Sequence, residues 1–131
     1  MFFKRTEGFR FSFDEPIQAK VKMLINGQAI TKGDKEIFEA SILDISPHGI
    51  KMFAETNFNE GNSPVPLLEV QFILDSSVIV GIGEIVWTKD FGSGKHYGIV
   101  FQDQASLEDL IISELKIRRR REVKEAKLTK S

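Results

Sequence analysis

Along residues 16–25, "PIQAKVKMLI", the apolar Ile17, Ala19, Val21, Met23 and Ile25 alternate with Gln18, Lys20 and Lys22. A two-residue period is that of a strand with one face buried. Asn26-Gly27 follows at once and is a strong hairpin or turn signal, and Lys32-Gly33-Asp34 gives a second break. Five further apolar runs occupy residues 36–45, 49–55, 67–75, 77–87 and 96–103. They are separated by the polar insert at 44–49, the loop "FNEGNSPVP", the turn Asp75-Ser76-Ser77 and the Gly-rich "KDFGSGK". Six short strands without intervening helices predict a mainly β fold, a small six-stranded antiparallel barrel. Closure would also remove exposed sheet edges.

After residue 103 the period changes. Leu107, Leu110, Ile111 and Leu115 are spaced by three and four, one face of a helix. Ser106 reads as its N-cap, with Asp109 in the place of a capping-box partner. Glu108 and Asp109 in a first turn, and Arg118 to Arg121 in a last, would complement the helix dipole. Beyond Ile117 the apolar face fades, and "REVKEAKLTKS" reads as exposed or frayed. The expected organisation is therefore an N-terminal arm at 1–15, a barrel at 16–103, and a C-terminal helix and basic tail at 104–131.

A chain of 131 residues, 41% apolar and 28% charged, suits one domain with one modest core. It contains no cysteine, which excludes disulfides, thiolate chemistry and Cys-ligated metals. The first residues form no long apolar stretch, and no segment approaches a membrane span, so a cytoplasmic protein is expected. The net charge of −1 is unevenly distributed. Residues 1–115 hold ten Lys/Arg against seventeen Asp/Glu, a net of −7, whereas 116–131 hold eight against two, a net of +6.

Catalysis finds little support. The two histidines, His48 and His96, are far apart, and no cluster has metal-ligand spacing, so no metal is expected. His96 reads as structural or solvent-facing. Ser46 stands two residues from His48, but a Ser-x-His pair is a weak signal because triads are defined by geometry. There is no Walker A loop, and the Gly-x-Gly of "GIGEIVW" sits inside a strand, where it permits bending or close packing. The chain reads as a binding protein without a catalytic residue or cofactor.

The polar insert of "ILDISPHGIKM" admits two readings, an ordinary turn around Pro47 and Gly49 or a shaped loop facing a ligand. Ahead of the first strand, "KRTEGFR" supplies Lys4, Arg5 and Arg10, whose forked guanidinium groups suit phosphates and the guanine edge. Phe9 and Phe11 flank Arg10 and offer an aromatic anchor for this arm.

The spacing Asp44-x-Ser46-x-x-Gly49, preceded by arginines and followed by "GEIVW" and "YGIVF", resembles the PilZ domain, a bacterial receptor for cyclic di-GMP. The resemblance spans about Lys4 to the helix after Gln104. It implies the same six-stranded barrel with a C-terminal helix. It also implies a site in which N-terminal arginines wrap the ligand's phosphates and guanines while the D-x-S-x-x-G loop completes the pocket. Lys4, Arg5 and Arg10 would then contact the nucleotide, Asp44 and Ser46 would hydrogen-bond a guanine or its neighbouring arginine, and Gly49 would allow close backbone approach. Trp87 ends the fifth predicted strand, where some members place an aromatic against the nucleotide; a buried core tryptophan is the other reading.

The family's arginines are usually spaced R-x-x-x-R, whereas Arg5 and Arg10 have four residues between them. Two readings therefore stand. One is a cyclic di-GMP receptor that passes its state to an effector protein, in control of motility, adhesion or exopolysaccharide. The other is a PilZ adaptor that works without nucleotide. A small nucleic-acid-binding barrel using the "KIRRRR" tail is disfavoured by the acidic body and the lack of a base-stacking strand face.

Overall fold

The computed structural model describes residues 10–59, 65–102 and 104–130. Seven strands, β1 (Phe11–Ile25), β2 (Gln28–Ile30), β3 (Ile37–Ser46), β4 (Gly49–Ala54), β5 (Leu67–Ile73), β6 (Val78–Phe91) and β7 (Gly94–Phe101), precede one helix, α1 (Gln104–Lys130). All pairings are antiparallel, in the order β2-β1-β3-β4-β7-β6-β5, and β1 also pairs with β5. Six strands thus close a barrel, as the alternation predicts, and β2 is an added strand on β1.

That added strand was not anticipated, although its turn was. Asn26 and Gly27 have φ of 53° and 79°, the paired positive values of a type I′ hairpin, and they fold Gln28–Ile30 back on Met23–Ile25. β1 begins at Phe11, five residues before the onset of alternation. Phe11 and Ser12 pair with Ile45 and Asp44, and pairing resumes at Ile17 with Ile42. The unpaired stretch between them contains Pro16, which has no N–H to give to a ladder.

The alternating residues fill the barrel. Val21, Met23, Ile42, Ile45, Met52, Leu68, Val70, Ile79 and Tyr97 are fully buried. The helix closes one end. Ile111 and Leu115 join the core, with Leu107 and Leu110 packed against it, the face expected from their spacing.

The helix ends fall elsewhere than expected. Because α1 starts at Gln104, Ser106 lies inside it rather than capping it, and the first turn carries no acidic residue. The helix also continues to Lys130, which places Arg118 to Arg121 mid-helix instead of in a last turn. Their role is lateral contact. Arg118 donates to the Leu74 carbonyl at 2.6 Å, and Arg121 pairs with Asp75 at 2.8 Å. The Arg118 and Arg119 guanidinium groups lie over the rings of Phe13 and Phe11, at 5.3 and 5.9 Å. Glu114, 3% exposed, accepts the N–H groups of Asp75, Ser76 and Ser77 at 2.9–3.1 Å. The helix therefore grips the β5–β6 turn with one side chain per turn, a contact invisible in its apolar pattern.

Candidate functional site

Two single-residue bulges shape one outer face of the barrel. In β3, the inward residues run Phe38, Ala40, Ile42, a parity that would carry Asp44 into the core. Against β4, however, Ile42 pairs with Met52 and Asp44 with Lys51, so Leu43 is the extra residue. The phase changes, Ile45 takes the buried place, and Asp44 faces outward with its side chain 15% exposed. In β6, Ile85 pairs with Ile99 and Trp87 with Gly98, leaving Val86 as the extra residue. Trp87 is thereby turned out of the core and is 44% exposed. The buried-tryptophan reading is excluded.

These shifts assemble a row across five strands. Ser12 pairs with Asp44, Asp44 with Lys51, Lys51 with Gly98, and Gly98 with Trp87. Above the row is an open cleft of about 400 Å³, lined by Arg10, Asp44, Lys51, Trp87, Gly98 and Val100 among others. Arg10 Nη1 donates to Asp44 Oδ1, so the first described residue of the arm is already held at the cleft.

The hairpin between β3 and β4 divides the expected site residues by role. Ser46, 5% exposed, turns into its own turn: its Oγ accepts the His48 N–H at 3.3 Å and donates to the Gly49 carbonyl at 3.4 Å. Pro47 and His48 form a two-residue connection, since Ser46 pairs with Gly49. At Gly49, a Cβ would stand 2.1 Å from the Ile99 carbonyl oxygen, so the close approach made there is by β7. Asp44 and Arg10 meet in the cleft, and Trp87 forms its far wall, while Ser46 and Gly49 set the hairpin that presents Asp44. Lys4 and Arg5 lie outside the described residues.

Next to the cleft, two residues along β7 from Gly98, stands a cationic and aromatic group in which His96 pairs with Phe53 and Lys89. His96 stacks on Phe91 with centroids 4.3 Å apart, and Phe53 meets its edge at 6.0 Å. Burial, followed by the positive charges of Lys51 and Lys89, holds the His96 pKa below its ordinary value. Among the described residues Lys51 has no ion-pair partner. Sequence reasoning missed Lys51 and Gly98, because their place in the row depends on pairing between β4, β7 and β6. The described residues hold no group of three or more His, Asp or Glu placed for a metal ion. No helix among them is long and apolar enough to cross a membrane.

Residues 4–116 match the PilZ domain family. The chain belongs to that family. Among solved structures, this PilZ barrel is similar to the PilZ domain with c-di-GMP of YcgR from Escherichia coli. The two are 12% identical with a TM-score of 0.60, over 91% of this chain and 95% of that one, a likeness of fold. No curated protein matches the sequence.

Proposed function

We propose that this PilZ domain is a cytoplasmic receptor for cyclic di-GMP, and that it relays the nucleotide's level to an effector protein controlling motility, adhesion or exopolysaccharide. The observation that carries the reading is the outward turn of Asp44 and Trp87 onto one cleft, with Arg10 held between arm and barrel. The ligand offers two guanines and two phosphodiesters. Arg10 supplies a forked donor for phosphate or the O6/N7 edge of guanine. Asp44 orients that guanidinium and has further acceptor capacity for guanine N1–H and N2–H. The exposed indole of Trp87 gives a stacking face. Lys4 and Arg5 are the further cations the arm would bring, and Ser46 and Gly49 support the site through the hairpin. The YcgR domain, of the same fold, carries this nucleotide in its solved structure.

A calorimetric titration with cyclic di-GMP, with GTP as control, tests the proposal. Dissociation constants at micromolar or below, about −8 kcal/mol, are expected for the dinucleotide alone. Absence of heat and of any thermal shift with folded protein would favour the second reading, a nucleotide-independent adaptor, which the four-residue gap between Arg5 and Arg10 supports.

A further inference from the structure

At Gly98 an added Cβ would lie 2.0, 2.3 and 2.6 Å from three atoms of one side chain, the Trp87 indole. No backbone atom is among the three nearest. The indole therefore rests over the bare backbone of β7, and the absent side chain at 98 is the space it occupies. On the other side of Gly98 in the same row stands Lys51, also lining the cleft and without an ion pair among the described residues. Its charge is felt at His96, the neighbour of this row, where it opposes protonation.

We propose that Gly98 is a positioning residue that seats Trp87 as a wall of the cleft, and that Lys51 is a ligand-binding cation that takes a phosphodiester opposite Arg10. This deepens the cyclic di-GMP reading and rests on it. The two cations approach the cleft from different segments, Arg10 from the arm just ahead of β1 and Lys51 from β4. Both cations adjoin Asp44, Arg10 through its bond to the carboxylate and Lys51 through strand pairing, and a ligand with two phosphodiesters offers one to each while a base stacks on the indole. Glycine is required because any larger residue at 98 displaces the indole, and β6 has no other aromatic in this row.

Trp87 is the sole tryptophan, so intrinsic fluorescence reads its seating without ligand. Gly98→Ala should shift the emission maximum and raise acrylamide quenching of the free protein. It should also weaken cyclic di-GMP binding about tenfold, the scale of one lost stacking contact. In a Trp87→Ala background the same substitution should have no further effect on affinity, which separates seating from general damage to β7. Lys51→Gln should weaken binding about three- to tenfold and flatten its salt dependence, while Lys51→Arg should keep both. Wild-type affinity in both Gly98→Ala and Lys51→Gln would overturn the proposal, as would an equal loss from Gly98→Ala with and without Trp87. If the wild-type protein itself does not bind, the receptor reading fails and the ligand role of this row fails with it. The fluorescence of free Gly98→Ala still decides whether Gly98 seats the indole.

Discussion

Replacing Glu114 by Ala should loosen the helix from the barrel. The Glu114 carboxylate accepts three backbone N–H groups of the β5–β6 turn at 2.9–3.1 Å and faces the Ser76 hydroxyl at 3.5 Å. Hydrogen bonds to a charged acceptor are each worth about 1.5–3 kcal/mol. Three donors share one oxygen here, and the exposed Ser76 and Ser77 can be rehydrated when it is gone, so the contributions do not add. A total loss of about 2–3 kcal/mol is expected, which for a domain of this size lowers Tm by about 7–11 °C. Burial alone would raise the Glu114 pKa, but the bonds from Ser76, Ser77 and Asp75 outweigh it and the net shift is downward. The stabilisation is therefore fully present above the ordinary value of 4.5 and is lost as pH falls through the lower folded value. Thermal melts followed by circular dichroism should show Glu114→Gln losing part of the alanine deficit at neutral pH, with the gap to wild type closing in acid. A melting point for Glu114→Ala within about 2 °C of wild type, or a gap that does not change with pH, would refute the argument.

Arg10→Ala should leave the fold intact and weaken cyclic di-GMP binding by about 1.5–3 kcal/mol, because it removes a charge-assisted contact and leaves Asp44 unpaired. Arg5→Ala should cost less if the four-residue gap displaces Arg5 from the cleft; calorimetry on both variants decides. Ending the chain after Arg121 removes, among the described side chains, only the exposed residues 122–126 with the surface pairs Arg118–Glu122 and Arg121–Glu125, so Tm and nucleotide affinity should change little, by about 1 kcal/mol at most. A large fall in affinity on truncation would show that the tail reaches the cleft. Tyr97→Phe should destabilise by about 1–3 kcal/mol in denaturant unfolding, since the buried Tyr97 hydroxyl accepts the Phe58 N–H and donates to the Thr56 carbonyl.

Local pattern in the sequence was sufficient for the barrel and the helix face. Alternation at Ala19, Val21 and Met23 places those side chains inside because a strand has only two faces. Leu107, Leu110, Ile111 and Leu115 pack on the barrel because a helix repeats every 3.6 residues. Asn26-Gly27 tolerates the positive φ angles of its hairpin, and that preference is legible in two letters. Arg10 and Asp44 were legible as a possible pair through their residue types and the family spacing, and they meet across 34 residues.

What stayed hidden was set by partners distant in sequence. Whether Asp44 and Trp87 face the core or the cleft depends on the bulges at Leu43 and Val86, and a bulge exists only relative to the strand beside it. A one-residue change of phase moves a side chain to the opposite face, so alternation alone assigns both residues the wrong way. The structural part of Ser46 and Gly49 was equally hidden: Ser46 bonds within its own hairpin and Gly49 makes room for β7. The helix grip by Glu114, Arg118 and Arg121 shows no apolar period, because it is built from polar side chains reaching a turn some 40 residues earlier in the chain. Sequence determined which faces could bury; closure of the barrel determined which side chains were left together outside it, because only strand pairing brings β1, β3, β4, β7 and β6 into one row.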